Sequence, residues 1–157
     1  MTSQDTLVIG IGSPDAGDDA VGPAVAEAVR SLAPPGVEVL AHEDPTDLTL
    51  LWQGRPHVVV IDAVRSGAPV GTVRTLVVSE LTPLQSLQGL GSHGSHDFGV
   101  GSAVALSEAL GTLPGQLAIV TVEGLAFRPG AMTPLVRAAV PTAVEAVLEA
   151  CRQGMVR

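Results

Sequence analysis

Apolar residues follow two rhythms along this chain. Short unbroken runs alternate with stretches in which apolar positions recur every three or four residues. Thr6–Gly10 is a short apolar run continuing into Gly-x-Gly, and it reads as a buried strand. Val21–Leu32 has the second rhythm, with Val21, Val25, Ala28, Val29 and Leu32 on one helical face. Pro23 is tolerated only in a first turn, so this helix begins close to Gly22, and Pro34-Pro35-Gly36 stops it. Val37–Ala41 reads as a second strand and Leu48–Trp52 as a short helix. Val58–Ile61 is continuously β-branched with no polar alternation, the pattern of a central parallel strand covered on both faces. Gly71–Val78 reads as a further strand and Ser79–Ser95 as mostly loop. Phe98–Leu110 reads as a helix and Leu117–Val122 as another buried strand. Thr133-Pro134 opens a last helix to about Cys151, with Val136, Val140, Val144, Val147 and Leu148 inward.

The order β-α-β-α-β-β-α-β-α predicts a three-layer α/β/α sandwich around a five-stranded, mostly parallel sheet. The link into Gly71–Val78 is too short for a crossover, so that strand is expected as an antiparallel edge. A length of 157 residues suits a single domain over 1–157. Hydrophobic residues at 46% and charged residues at 15% exclude an intrinsically disordered chain. The only aromatics are Trp52, Phe98 and Phe127, so the core is built from Val, Leu, Ile and Ala, with no stacking platform for bases. The net charge of −8 has the wrong sign for a phosphate-backbone binder, so no nucleic-acid partner is expected. Cys151 is the single cysteine, which excludes an intrachain disulfide and a cysteine-based zinc site. No signal peptide and no membrane-spanning run is read from the sequence, and a soluble cytoplasmic protein is the expectation.

In open α/β sheets, ligands bind beyond the carboxyl ends of the strands. The first strand is followed by Gly10-Ile11-Gly12-Ser13-Pro14-Asp15-Ala16-Gly17-Asp18-Asp19. This fails as a dinucleotide fingerprint, because the third glycine of G-x-G-x-x-G would fall where Asp15 stands. A Walker lysine is also absent, since the chain has no Lys. The loop suits a cation better than a phosphate. The plainer alternative is that Asp18 or Asp19 favours the positive end of the next helix. Asp62 ends the third strand, where a carboxylate is costly unless paired, hydrogen-bonded or metal-bound. Its plainer alternative is a turn-forming Asp beside Arg65 and Ser66. His93 and His96 lie in one polar loop and read by default as solvated, while Ser95 or Asp97 could cap the helix that follows.

If the first and third strands are neighbours, Asp19 and Asp62 project from one sheet edge. His96 can reach that edge from the loop entering the next helix. Two carboxylates and an imidazole make a mixed site for a divalent metal such as Zn²⁺ or Ni²⁺. His42, Glu43, Asp44 and Asp47 follow the second strand and read as an exposed charged loop.

These residues resemble a known family. Gly10-Ile11-Gly12-Ser13 through Asp18-Asp19-Ala20-Val21-Gly22 is similar to the opening motif of the [NiFe]-hydrogenase maturation endopeptidases. Val60-Ile61-Asp62-Ala63-Val64 resembles that family's D-A-V segment, and Ser95-His96-Asp97-Phe98-Gly99-Val100 its histidine-led helix entry. Val120–Gly124 and Met132-Thr133-Pro134 resemble its closing strand and last helix start. The resemblance covers nearly the whole chain in order. It implies an endopeptidase that removes a C-terminal extension from a hydrogenase large-subunit precursor once nickel is inserted. It implies Asp19, Asp62 and His96 as the catalytic and metal-contacting residues. His96 is chosen over His93 because Phe98, Val100 and Val104 then keep the family's apolar spacing. The metal is nickel carried by the precursor, or another divalent metal in its place. Without a cation the two carboxylates repel, raising one pKa. Ser13 stands where the family usually has Asn, and Ala20 where it usually has Gly, which questions any positive φ there. No G-x-S-x-G or H-E-x-x-H motif offers another protease route. The competing readings are a non-catalytic nickel-binding or chaperone module and a nucleotide-binding domain.

Overall fold

The computed structural model describes residues 5–79 and 98–155. Among them, five strands form one sheet: β1 (Thr6–Ile11), β2 (Val37–His42), β3 (His57–Val64), β4 (Val73–Val78) and β5 (Gln116–Glu123). The helices are α1 (Val21–Leu32), α2 (Leu48–Leu51), α3 (Val100–Leu110) and α4 (Pro134–Met155). 3-10 turns at Gly17–Ala20 and Pro45–Asp47 lead into α1 and α2. The strand order is β2-β1-β3-β5-β4, parallel throughout except that β4 closes one edge antiparallel to β5. The expected mostly parallel sheet with one antiparallel edge strand is therefore present.

β1 and β3 are buried at every position, which is why Leu7–Ile9 and Val58–Ile61 are apolar without alternation. Strand alternation sorts their side chains into two layers. Val8, Val59, Ile61 and Ala63 join the core under α1 and α4. Leu7, Ile9, Val60 and Val64 join the core under α2 and α3. In that second core the Trp52 indole N–H donates to Ser107 Oγ at 2.9 Å, tying α2 to α3.

The boundaries differ from the expected ones for local reasons. β4 begins at Val73, because Gly71 has φ +89° and Gly71-Thr72 turns back on Pro69. α3 begins at Val100, because Gly99 is extended at φ −122°, ψ −169°. α4 runs past Cys151 to Met155 because Gly154 lets it lie against the buried ring of His57; a Cβ there would overlap that ring. The loop expected over Ser79–Ser95 falls outside the described residues after Ser79.

Glycine placement sets the join between β1 and α1. A Cβ on Gly10 would drive into the Gly22 carbonyl, and one on Gly22 into the Ile11 carbonyl. Strand end and helix start therefore touch backbone to backbone, which holds the connecting turn tight against the sheet edge.

Candidate functional site

Parallel strands bring their carboxyl ends to one edge of the sheet. Here that edge carries His42 at the end of β2, residues 12–19 after β1, Asp62 near the end of β3, and Glu123 at the end of β5. β1 and β3 are neighbours, with Gly10 opposite Ile61, so the condition for bringing Asp19 and Asp62 together is met.

Asp62 lies inside β3, not in a turn, which overturns its turn-forming reading. Its side chain is 1% exposed. Neither carboxylate oxygen has a hydrogen-bond partner among the described residues. Burial pushes its pKa well above the ordinary value, and the charge of nearby Asp19 pushes it the same way. The neighbouring Ala63 amide pulls weakly in the other direction without making a hydrogen bond of good geometry. Alternation puts Asp62 on the face of Val60 and Val64, the face covered by α2 and α3. α3 feeds β5, which starts at the opposite edge, so the amino end of α3 lies toward the edge that holds Asp62. Phe98 and Val100, at that end, pack into the same core as Val64.

Asp19 sits in the 3-10 turn and is half-buried. Its Oδ2 accepts a hydrogen bond from the Ser13 amide at 2.7 Å. That donor is backbone, so Ser in place of the family's Asn leaves it intact. Gly12, at φ +142°, lies against Asp19, and a Cβ there would overlap the Asp19 carbonyl. Ala20 is right-handed helical at φ −71°, ψ −8°, so no glycine is needed at that position.

Asp18 does not serve the positive end of α1. It is fully buried, and its carboxylate accepts from the amides of Leu125, Ala126 and Thr133 and from the Thr133 hydroxyl, at 2.6–2.9 Å. Burial alone would raise its pKa, but these donors outweigh it and hold the pKa below the ordinary carboxylate value. Glu123 is a second buried carboxylate with a full set of partners, the Ser66 amide, the Ser66 hydroxyl and the Gly67 amide. It fixes the turn after β3. The sequence reading missed both tethers. No local signal could have found the first, since its donors at Leu125, Ala126 and Thr133 lie more than a hundred positions along the chain.

The loop after β2 is the exposed charged loop expected. His42 pairs with Asp47 at 2.7 Å, and Asp44 accepts from the Thr46 amide. His93, Ser95, His96 and Asp97 lie outside the described residues. Among the described residues no three His, Cys, Asp or Glu side chains gather to hold a metal.

A family model described as hydrogenase maturation protease matches residues 23–150. Among solved structures, the chain is similar to the hydrogenase maturating endopeptidase HybD from Escherichia coli, at 26% identity and TM-score 0.77, covering 94% of this chain and 92% of that one. It is also similar to an endopeptidase from Escherichia coli solved in solution, at 27% identity and TM-score 0.80, again covering 94% and 92%. The [NiFe] hydrogenase maturation protease HycI from Thermococcus kodakarensis KOD1 shares the fold at 21% identity and TM-score 0.65, covering 96% and 93%. No curated protein matches the chain.

Proposed function

The chain belongs to the hydrogenase maturation protease family, and from that premise we propose that it removes the C-terminal extension of a [NiFe]-hydrogenase large-subunit precursor after nickel insertion. The precursor's nickel is read through Asp19, Asp62 and His96. That the protein is a peptidase follows from its family and its endopeptidase relatives.

The observation that carries the proposal is Asp62. A buried carboxylate with no partner for either oxygen among the described residues is costly, and native proteins keep such a group only for a reason. Burial and the Asp19 charge both hold it toward the neutral form. An arriving cation reverses both effects. It replaces the missing hydrogen-bond partners and lies between the two negative charges. Two carboxylates leave a metal short of donors. His96, two positions before Phe98, is the third donor in this proposal. Cleavage needs a base to take a proton from the attacking water, and a carboxylate of this pair is the base at hand.

The metal here is part of the substrate. Its docking checks that the precursor is loaded and brings the scissile peptide to the carboxylates in one step. Asp62→Ala and His96→Ala should keep the circular dichroism of the parent and lose processing by at least about a hundredfold, as expected for groups at the reacting centre. Parent rates in both folded variants would refute the site.

A further inference from the structure

Asp18 and Asp19 are adjacent in sequence and point to different partners. Successive residues of a 3-10 turn are rotated by about 120°, so the two carboxylates cannot share a face. Asp19 is half-buried and turned to the Ser13 amide. Asp18 is fully buried, and every donor it receives comes from the segment between β5 and α4. Backbone bonds run beside these. The Asp18 amide donates to the Ala126 carbonyl at 2.7 Å, Gly17 to Gly130 at 3.2 Å, and Gly130 back to Asp15 at 3.2 Å. Gly17 has φ +59°, and a Cβ there would stand 2.5 Å from the Ala126 carbonyl. The α1 cap residue, Ala20, offers no side-chain hydrogen bond, so the turn is not held from the helix side in that way.

We propose that Asp18 is a positioning residue: by fastening turn 17–20 to the β5–α4 segment, it fixes where Asp19 presents its carboxylate. This rests on the reading of Asp19 as a contact to the precursor's nickel. Asp18 accepts these bonds at both oxygens, from Leu125, Ala126 and the Thr133 hydroxyl at Oδ2 and from the Thr133 amide at Oδ1, so one segment grips both ends of the carboxylate. Asp19 is the next residue along the same turn, so loosening Asp18 displaces Asp19 first. Misplacing a group at a reacting centre by about 1 Å can cost on the order of a hundredfold in rate.

The test uses Thr133→Val, which removes one donor and keeps the shape, and Asp18→Asn, which removes the charge. Two quantities are read in the folded full-length chain. One is the amide proton resonance of Ser13, which reports the Asp19 hydrogen bond without substrate or metal. The other is kcat/KM on the nickel-loaded precursor. The proposal expects the Ser13 signal to move upfield in both variants while β3 amides stay in place. It expects kcat/KM to fall about tenfold in Thr133→Val, the weight of one hydrogen bond to a charged group, and further in Asp18→Asn. If Asp18→Asn does not fold, Thr133→Val decides alone. An unmoved Ser13 signal overturns the proposal, whether or not processing falls. A moved signal with parent kcat/KM upholds the tether and overturns the reading of Asp19 as a substrate contact.

Discussion

Replacing Asp62 with Asn keeps the side chain's shape and removes its titration. In the unfolded chain Asp62 loses its proton near the ordinary value of 3.8, whereas in the folded chain its pKa is raised well above that. The folded state therefore binds more protons over this window, and the contribution of Asp62 to stability falls as pH rises from about 4 toward its folded pKa. Asp62→Asn escapes this loss. Its melting temperature should match the parent near pH 4 and exceed it at neutral pH. The difference should widen as pH rises through this window. Processing should be lost in the same variant. A pH-independent difference in melting temperature would contradict the assignment of a protonated Asp62. Asp62 was legible in the sequence because a carboxylate closing an apolar run is locally conspicuous. Asp18 was not legible, because its donors lie far along the chain, Thr133 being 115 positions on. Local pattern cannot report such a contact.

Helices and strands were legible where burial writes a long periodic signal, as in α1, whose limits Val21–Leu32 agree with the sequence reading. They were less legible where one glycine changes the backbone, as at Gly71 and Gly99, or where a distant side chain supports a helix end, as His57 does at Gly154. The glycines at the β1–α1 join make an element-scale prediction. Gly22→Ala should destabilise the protein by about 2–3 kcal/mol, because the added methyl meets the Ile11 carbonyl. The reverse change, Ala20→Gly, should cost only about 0.5–1 kcal/mol of backbone entropy, since residue 20 is already right-handed helical. Chemical denaturation of the two variants checks the contrast. Equal costs would mean that the close approach of β1 and α1 carries no special weight.

Topology turns these local contacts into a site. The order β2-β1-β3-β5-β4 puts β1 beside β3, and so brings residues 19 and 62 to one edge although they are remote in sequence. The β-branched run pointed to a central strand, but its neighbours were only a condition in the sequence, because the alternation of elements leaves strand order open and the pairing itself decides it. The third corner, His96, lies outside the described residues, so its place at the edge belongs to the proposal. Among the described residues no helix is long and apolar enough to cross a membrane. In the proposed function the protein acts only on a precursor that brings its metal. Mass spectrometry of the precursor after incubation with the purified protein tests this most directly, with matched nickel-loaded and nickel-free samples. Loss of the C-terminal extension from the loaded sample alone is the expected result. Loss from the nickel-free sample at the same rate would contradict it.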